Sequence, residues 1–224
     1  DLDAERMVTY SAEAFVSDEY LQAEKTLLWP KIWHMVERET DLSMPGDWMT
    51  FDVADESIIV LRMDNGSLRA FHNVCPHRGR QLVSLPDMMP GRVHDVRGNG
   101  RKNFVCGFHG WTFDLNGNNT YILDKQDWHG GLTPEMTCLS KVKVDTWAGY
   151  IYINMDPDCV PLKEWLGRAG VILDHFDLAG MRYKWRQWAI YPCNWKTAIE
   201  AFLEPYHVAG THTQLLAYGD YYAK

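Results

Sequence analysis

Cys75-Pro-His-Arg-Gly79 and Cys106-Gly-Phe-His-Gly-Trp111 are the stretches that decide how this chain is read. Each offers one thiolate and one imidazole from a turn rich in glycine or proline. Brought face to face, the two turns supply two sulfurs and two nitrogens. A tetrahedral zinc ion would accept that donor set, and so would a binuclear iron–sulfur cluster.

The order of the donors separates these readings. Zinc fingers commonly pair cysteine with cysteine and histidine with histidine along the chain, whereas here each loop gives one of each. That mixed arrangement suits a Rieske-type [2Fe–2S] centre, where two histidines replace two cysteines on one iron. Cys75 and Cys106 then hold one iron, and His77 and His109 hold the other. Gly79, Gly107 and Gly110 are expected to let backbone N–H groups reach the cluster's sulfides without a Cβ clash.

A second run, Asn194-Trp-Lys-Thr-Ala-Ile-Glu-Ala-Phe-Leu-Glu-Pro-Tyr-His-Val-Ala-Gly-Thr-His212, carries the other candidate groups. It reads as a helix over 194–208, with Glu200, Glu204 and His207 near one face. His212 lies about 140° round a regular helix from His207. The two imidazoles converge only if the helix distorts or ends between them. Gly210 offers the place, and Pro205 removes a backbone N–H beside it. Alone, the segment also reads as two histidines at a helix end, one solvated and one capping.

Outward from these motifs the chain alternates between helix and strand. Residues 17–29 read as a helix capped by Ser17 and ended near Pro30. Strands are expected at 48–53, 57–63 and 67–74, with Asp64-Asn-Gly66 as a hairpin turn. Short strands at 104–105 and 112–115 flank the second cysteine loop, before a turn at Asn116-Gly-Asn118. Leu85–Lys102, with two prolines and three glycines, reads as a surface loop. Residues 142–154 close the strand run, and Met155-Asp-Pro-Asp158 marks a boundary. Beyond it come short helices at 161–166 and 171–176, a strand at 181–191, and the helix with the second motif. The whole is α+β, a β-rich module of about 120 residues inside flanking helical and mixed segments. About 70 residues follow the boundary, few for a stable second domain, so the chain is expected to stop inside one.

Composition narrows the classes. The formal net charge of −8 argues against nucleic acid and anionic membranes as partners. Apolar runs such as 58–61 are too short to cross a bilayer, and the charged first residues give no signal peptide. Five cysteines, an odd number, make a poor disulfide framework and favour a reducing cytoplasm. Cys138, Cys159 and Cys193 read as ordinary thiols. His34, His72, His94, His129 and His175 lack partners at ligand spacing and read as structural or surface residues.

Both cysteine segments resemble the Rieske motifs of the Rieske non-haem iron oxygenases, the ring-hydroxylating family, with Arg78 and Trp111 at the family's positions. Gly46-Asp-Trp48, Phe71-His-Asn-Val74, Asn154-Met-Asp-Pro157 and the 194–212 run look like the N-terminal portion of one α subunit. The 28 residues between His77 and Cys106 exceed the family's usual span. The resemblance implies three regions: residues 1–35, a helical segment packing with the catalytic domain; 36–156, the Rieske domain; and 157–224, the start of an incomplete, helix-grip-like catalytic domain.

By the same match His207 and His212 are ligands of a mononuclear Fe(II), and Glu204 is the acid that links that iron to a Rieske cluster for electron transfer. The family usually has Asp at that position, and an Asn near the iron is Ala201 here. Asp220 is too near His212 to be the third ligand, so that carboxylate is expected outside the chain. The resemblance further implies a terminal oxygenase that takes electrons from NAD(P)H through a separate reductase or ferredoxin. It would act with O₂ on an organic, aromatic substrate, as a homotrimer or larger assembly with or without a small β subunit. A monooxygenase or oxidative demethylase is the nearest alternative. A Rieske electron carrier is a different class, and would lack the second motif.

Overall fold

The computed structural model describes residues 11–84, 96–185 and 189–217. It divides into two compact units: residues 25–184, and residues up to 24 together with those from 185 onward.

Two short helices, α1 (Glu13–Val16) and α2 (Asp18–Ala23), open the described chain. Ser17 caps α2 as expected, its hydroxyl accepting the Glu19 N–H at 3.2 Å. The helix continues through one π turn at Glu24–Leu28 and ends in a 3₁₀ turn holding Pro30.

The larger unit is built on strands. β1 (His34–Arg38), β2 (Trp48–Val53), β3 (Glu56–Arg62), β4 (Leu68–His72) and β5 (Arg97–Gly98) precede the second cysteine loop. β6 (Asn103–Val105), β7 (Thr112–Asp114) and β8 (Asn119–Tyr121) surround it. A short helix, α3 (Pro134–Thr137), leads to β9 (Lys141–Trp147) and β10 (Tyr150–Asn154). The strands form a seven-stranded antiparallel sheet, ordered β1-β10-β9-β4-β3-β2-β5, and a three-stranded sheet, β6-β7-β8. Asp64-Asn-Gly66 makes the expected turn, with Gly66 at φ 80° and Met63 N–H bonded to Ser67 O at 2.8 Å. The run expected at 142–154 folds back on itself, because Ala148 and Gly149 both take positive φ, as a two-residue hairpin turn requires.

β3 explains where the core sits. Its residues Ile58–Leu61 are all buried, because alternate side chains enter two different cores. Ile59 and Leu61 pack with Phe71, Phe104, Trp111, Cys75 and Cys106. Ile58 and Val60 pack on the other face with Met49, Leu68, Ile151 and Ile153. Both cysteine loops are therefore rooted in one apolar core.

Four expectations are corrected. Arg97–Gly98, placed in a surface loop by the sequence, is an edge strand paired with Trp48 and Met49; residues 85–95, His94 included, lie outside the described residues. The two helices expected at 161–166 and 171–176 are one run, α4 (Leu162–Leu173), kinked at Gly167. The strand expected at 181–191 is absent over 181–185 and 189–191, where no described strand lies alongside to satisfy its backbone; 186–188 are not described. The helix expected over 194–208 breaks into α5 (Trp195–Glu200) and α6 (Val208–Thr211). Pro205 accounts for the break, since it removes an N–H and biases Glu204 away from helical backbone.

In the smaller unit, the start of α5 is fastened to the N-terminal segment. Asn194 caps α5 through the Lys196 N–H and also donates to Phe15 O at 3.0 Å. Trp195 Nε1 donates to Glu24 Oε2 at 2.9 Å, and Lys196 pairs with the other oxygen of Glu24. Burial pushes the Glu24 carboxyl up, but the bonds from Lys196 and Trp195 outweigh it and hold the group below the usual range.

Candidate metal centres

The two cysteine loops close by the same backbone pattern. Cys75 N–H donates to Arg80 O at 2.8 Å, and Cys75 O accepts from Gly79 N–H at 2.9 Å. Cys106 N–H donates to Trp111 O at 2.8 Å, and Cys106 O accepts from Gly110 N–H at 3.0 Å. Gly79 and Gly110 both adopt φ 72°, and a Cβ on either would meet no protein atom. The sign of φ, not crowding by protein, is what demands glycine there. Gly107 has neither constraint, and its nearest neighbour would be an Arg80 side-chain atom at 3.7 Å.

This common frame brings all four predicted donors together as two pairs. Cys75 and Cys106 are buried and free of disulfides. The Cys75 thiol is pushed up to about 11, first by burial and further by the adjacent Cys106, against the N–H of His77. The His77 and His109 rings lie 4.7 Å apart. His77 is held below the usual histidine range by burial and by its neighbours His109 and Arg78. His109 Nδ1 is buried with no hydrogen-bond partner. Among the described residues, no three His, Cys, Asp or Glu side chains converge where one metal ion could sit.

Two further residues shape this site, and sequence reasoning gave neither a role: Asn73 entered only within the Phe71-His-Asn-Val74 resemblance, and Trp128 not at all. The buried amide of Asn73 ties the base of the first loop, donating to Val83 O at 2.6 Å while its oxygen accepts from the N–H groups of Leu82 and Val83. Trp128 lies edge-on to His77, with centroids 5.6 Å apart. Neither has a spacing signal: one asparagine two residues before a cysteine and one tryptophan in a glycine-rich loop look like many others. Trp111, predicted from its motif, stacks on His77 at 4.9 Å with planes 7° apart.

The second set also gathers, by a different route from the one expected. The break falls before His207, and Gly210 lies inside α6. His207 and His212 flank that single turn as its N- and C-caps. His212 leaves helical backbone (φ −121°, ψ 50°), and the two rings come to 5.4 Å. Glu204 Oε1 meets His207 Nδ1 at 2.5 Å, and Glu204 Oε2 accepts the His207 N–H at 3.1 Å. The His207 side-chain bond holds the Glu204 carboxyl below the usual range. Glu200 ends α5, so it does not share one continuous helix face with Glu204 and His207. A cleft of about 450 Å³ opens beside the histidines, walled by Ala201, Phe202, Leu203, Val208 and Leu215. Asp220 lies outside the described residues.

Both patterns have counterparts in known proteins. The Rieske [2Fe–2S] domain family matches residues 32–127, and the catalytic domain of ring-hydroxylating α subunits matches residues 144–221. The chain belongs to the Rieske oxygenase α subunits. Among these oxygenases it is 32% identical to the large oxygenase component of the naphthalene 1,2-dioxygenase system of Pseudomonas putida, over 91% of this chain and 44% of that protein. It is 31% identical to the carnitine monooxygenase oxygenase subunit of Acinetobacter pittii, over 91% of this chain and 52% of that protein. A solved quaternary ammonium Rieske monooxygenase bound to γ-butyrobetaine aligns with a TM-score of 0.80 at 27% identity, covering 92% of this chain and 56% of that one. The chain spans about half the length of the curated relatives it matches.

A Rieske oxygenase α subunit implies a Rieske [2Fe–2S] cluster and a mononuclear iron. The residues of the first site fit the cluster: a buried thiol pair, an imidazole pair, and an orphaned buried ring nitrogen on His109. The second site brings two imidazoles together, a donor pair that fits part of a two-histidine, one-carboxylate iron site.

Proposed function

We propose that this chain is the N-terminal half of the terminal oxygenase component of a multicomponent Rieske system. The observation that carries the reading is the presence, in one chain, of both the Cys75/His77/Cys106/His109 set and the Glu204-bonded His207 with His212. A Rieske electron carrier has no use for the second set.

Cys75, Cys106, His77 and His109 would hold the cluster, and His207 and His212 would hold the mononuclear iron. When bound, these groups supply single-electron storage and a metal with open positions for O₂. Glu204 keeps its carboxylate on the Nδ1 proton of His207, which leaves Nε2 with the lone pair a metal needs. The same carboxylate is the bridge by which electrons from a neighbouring subunit's cluster would reach this site. The apolar residues that line the cleft suit an organic substrate.

Electrons would come from NAD(P)H through a separate reductase or ferredoxin, in a homotrimer or larger assembly with or without a β subunit. An aromatic substrate is supported by the naphthalene and biphenyl dioxygenases among the relatives. Monooxygenation or oxidative demethylation is the second reading, supported by the carnitine monooxygenase subunit. We assign residues 36–156 to the cluster-bearing domain, and 1–35 with 157–224 to the iron-bearing domain. The bonds from Asn194, Trp195 and Lys196 to Phe15 and Glu24 support grouping the segment up to residue 24 with the one from 185 onward, whereas 25–35 and 157–184 share a compact unit with the cluster-bearing residues. Five free thiols support a cytoplasmic setting, and among the described residues no helix is long and apolar enough to cross a membrane.

The test uses the full-length protein with a Rieske-system reductase, NADH, ¹⁸O₂ and a panel of aromatic hydrocarbons and quaternary ammonium compounds. Label entering one product class supports the reading and selects the substrate. Electron uptake by the protein with no label in any product, and no O₂ use coupled to substrate, would favour a carrier instead.

A further inference from the structure

Trp128 is held in place by an unusual piece of backbone. Asp124, not glycine, takes the left-handed conformation (φ 50°, ψ 42°) at the head of the turn, a cost that persists only where surrounding structure enforces it. Asp127 N–H closes on Asp124 O at 2.9 Å, and Trp128 N–H on Lys125 O at 3.3 Å. Gly130 and Gly131 follow with φ 97° and 79°, and Gly131 N–H returns to Trp128 O at 3.4 Å. The loop therefore folds back on both sides of one residue.

The ring that this loop presents touches the histidine side of the first site. It stands edge-on to His77 at 5.6 Å and edge-on to Trp111 at 5.8 Å. Trp111 is buried, whereas Trp128 is 39% exposed. One side of Trp128 thus meets solvent while the other covers the His77–Trp111 stack.

We infer that Trp128 is a positioning residue that shields His77 from water and so lowers the reduction potential of the cluster. The inference rests on the assignment of Cys75, His77, Cys106 and His109 as cluster ligands. With two thiolates and two neutral imidazoles, the oxidised cluster is neutral overall. One electron added to it, from whichever donor reduces it, leaves a net negative charge. Water stabilises the charged form more than the neutral one, so a wall that excludes water favours the oxidised state. Removing the wall must raise the potential.

The experiment compares full-length wild type, Trp128→Phe and Trp128→Ala by direct electrochemistry of the cluster. Deuterium modulation of the reduced cluster's electron spin resonance after transfer to D₂O is read alongside. An upward shift in Trp128→Ala, a smaller one in Trp128→Phe, and stronger deuterium modulation in the same order support the role. If the alanine protein does not retain the cluster, the phenylalanine variant decides by the same sign. Unchanged or lowered potentials in cluster-loaded variants overturn the inference and leave the ligand assignment standing. A wild type that binds no cluster would sink the assignment itself, and the inference with it.

Discussion

Glu204 and His207 are joined twice, through the Nδ1 of the ring at 2.5 Å and through the backbone N–H at 3.1 Å. Three residues apart and outside any helix, they form a closed local unit that fixes both the tautomer and the direction of the imidazole. Pro205 between them makes this possible, by ending α5 and letting the carboxylate turn back on the following residues.

The bridging role proposed for Glu204 makes it a coupler of centres and not an iron ligand. Glu204→Gln keeps the shape and loses the charge that binds an imidazole N–H strongly. Iron content and cluster spectrum should stay near wild type, while re-oxidation of the pre-reduced cluster on adding substrate and O₂ slows by about 10- to 100-fold. Glu204→Asp keeps the charge with less reach and should be milder. Unchanged single-turnover rates in Glu204→Gln would mean that electrons take another route.

His207 and His212 cap the same short helix from opposite ends in the smaller unit, and the cysteine loops belong to the larger one. In the full-length protein, His207→Ala and His212→Ala should each abolish mononuclear iron binding and turnover. The visible spectrum of the cluster should persist. Wild-type oxygenation by either variant would remove that histidine from the site.

Gly117 tests the support beneath the second cysteine loop. Its φ is 82°, and a Cβ there would lie 2.5 Å from the ring of the fully buried Phe71. Gly117→Ala adds backbone strain to overpacking and should destabilise the protein by about 2–3 kcal/mol in urea unfolding. A loss under about 0.5 kcal/mol would place it among neutral surface changes, and the turn would be less constrained than described.

Much of this architecture was legible from local chemistry. β2, β3 and the Asp64–Gly66 turn follow from β-branched residues and one obligatory glycine. The cysteine loops follow from donor order. What escaped depends on distant partners. β5 is two residues of an expected loop, made a strand only because Trp48 and Met49 lie beside them. Residues 194–208 have helical composition, yet one proline outweighed the rest. Asn73 and Trp128 acquire roles only through what the fold brings against them. The metal-site residues were easier to find than their supports, because ligands carry spacing and supports do not.

Cys75, Cys106, His77 and His109 are proposed to hold a Rieske cluster. Electron paramagnetic resonance of the dithionite-reduced, full-length protein tests it most directly, with metal analysis of the same sample. The protein should be red-brown and give a Rieske-type signal, lost in His77→Ala and His109→Ala. A colourless, signal-free protein with one zinc per chain would contradict that assignment.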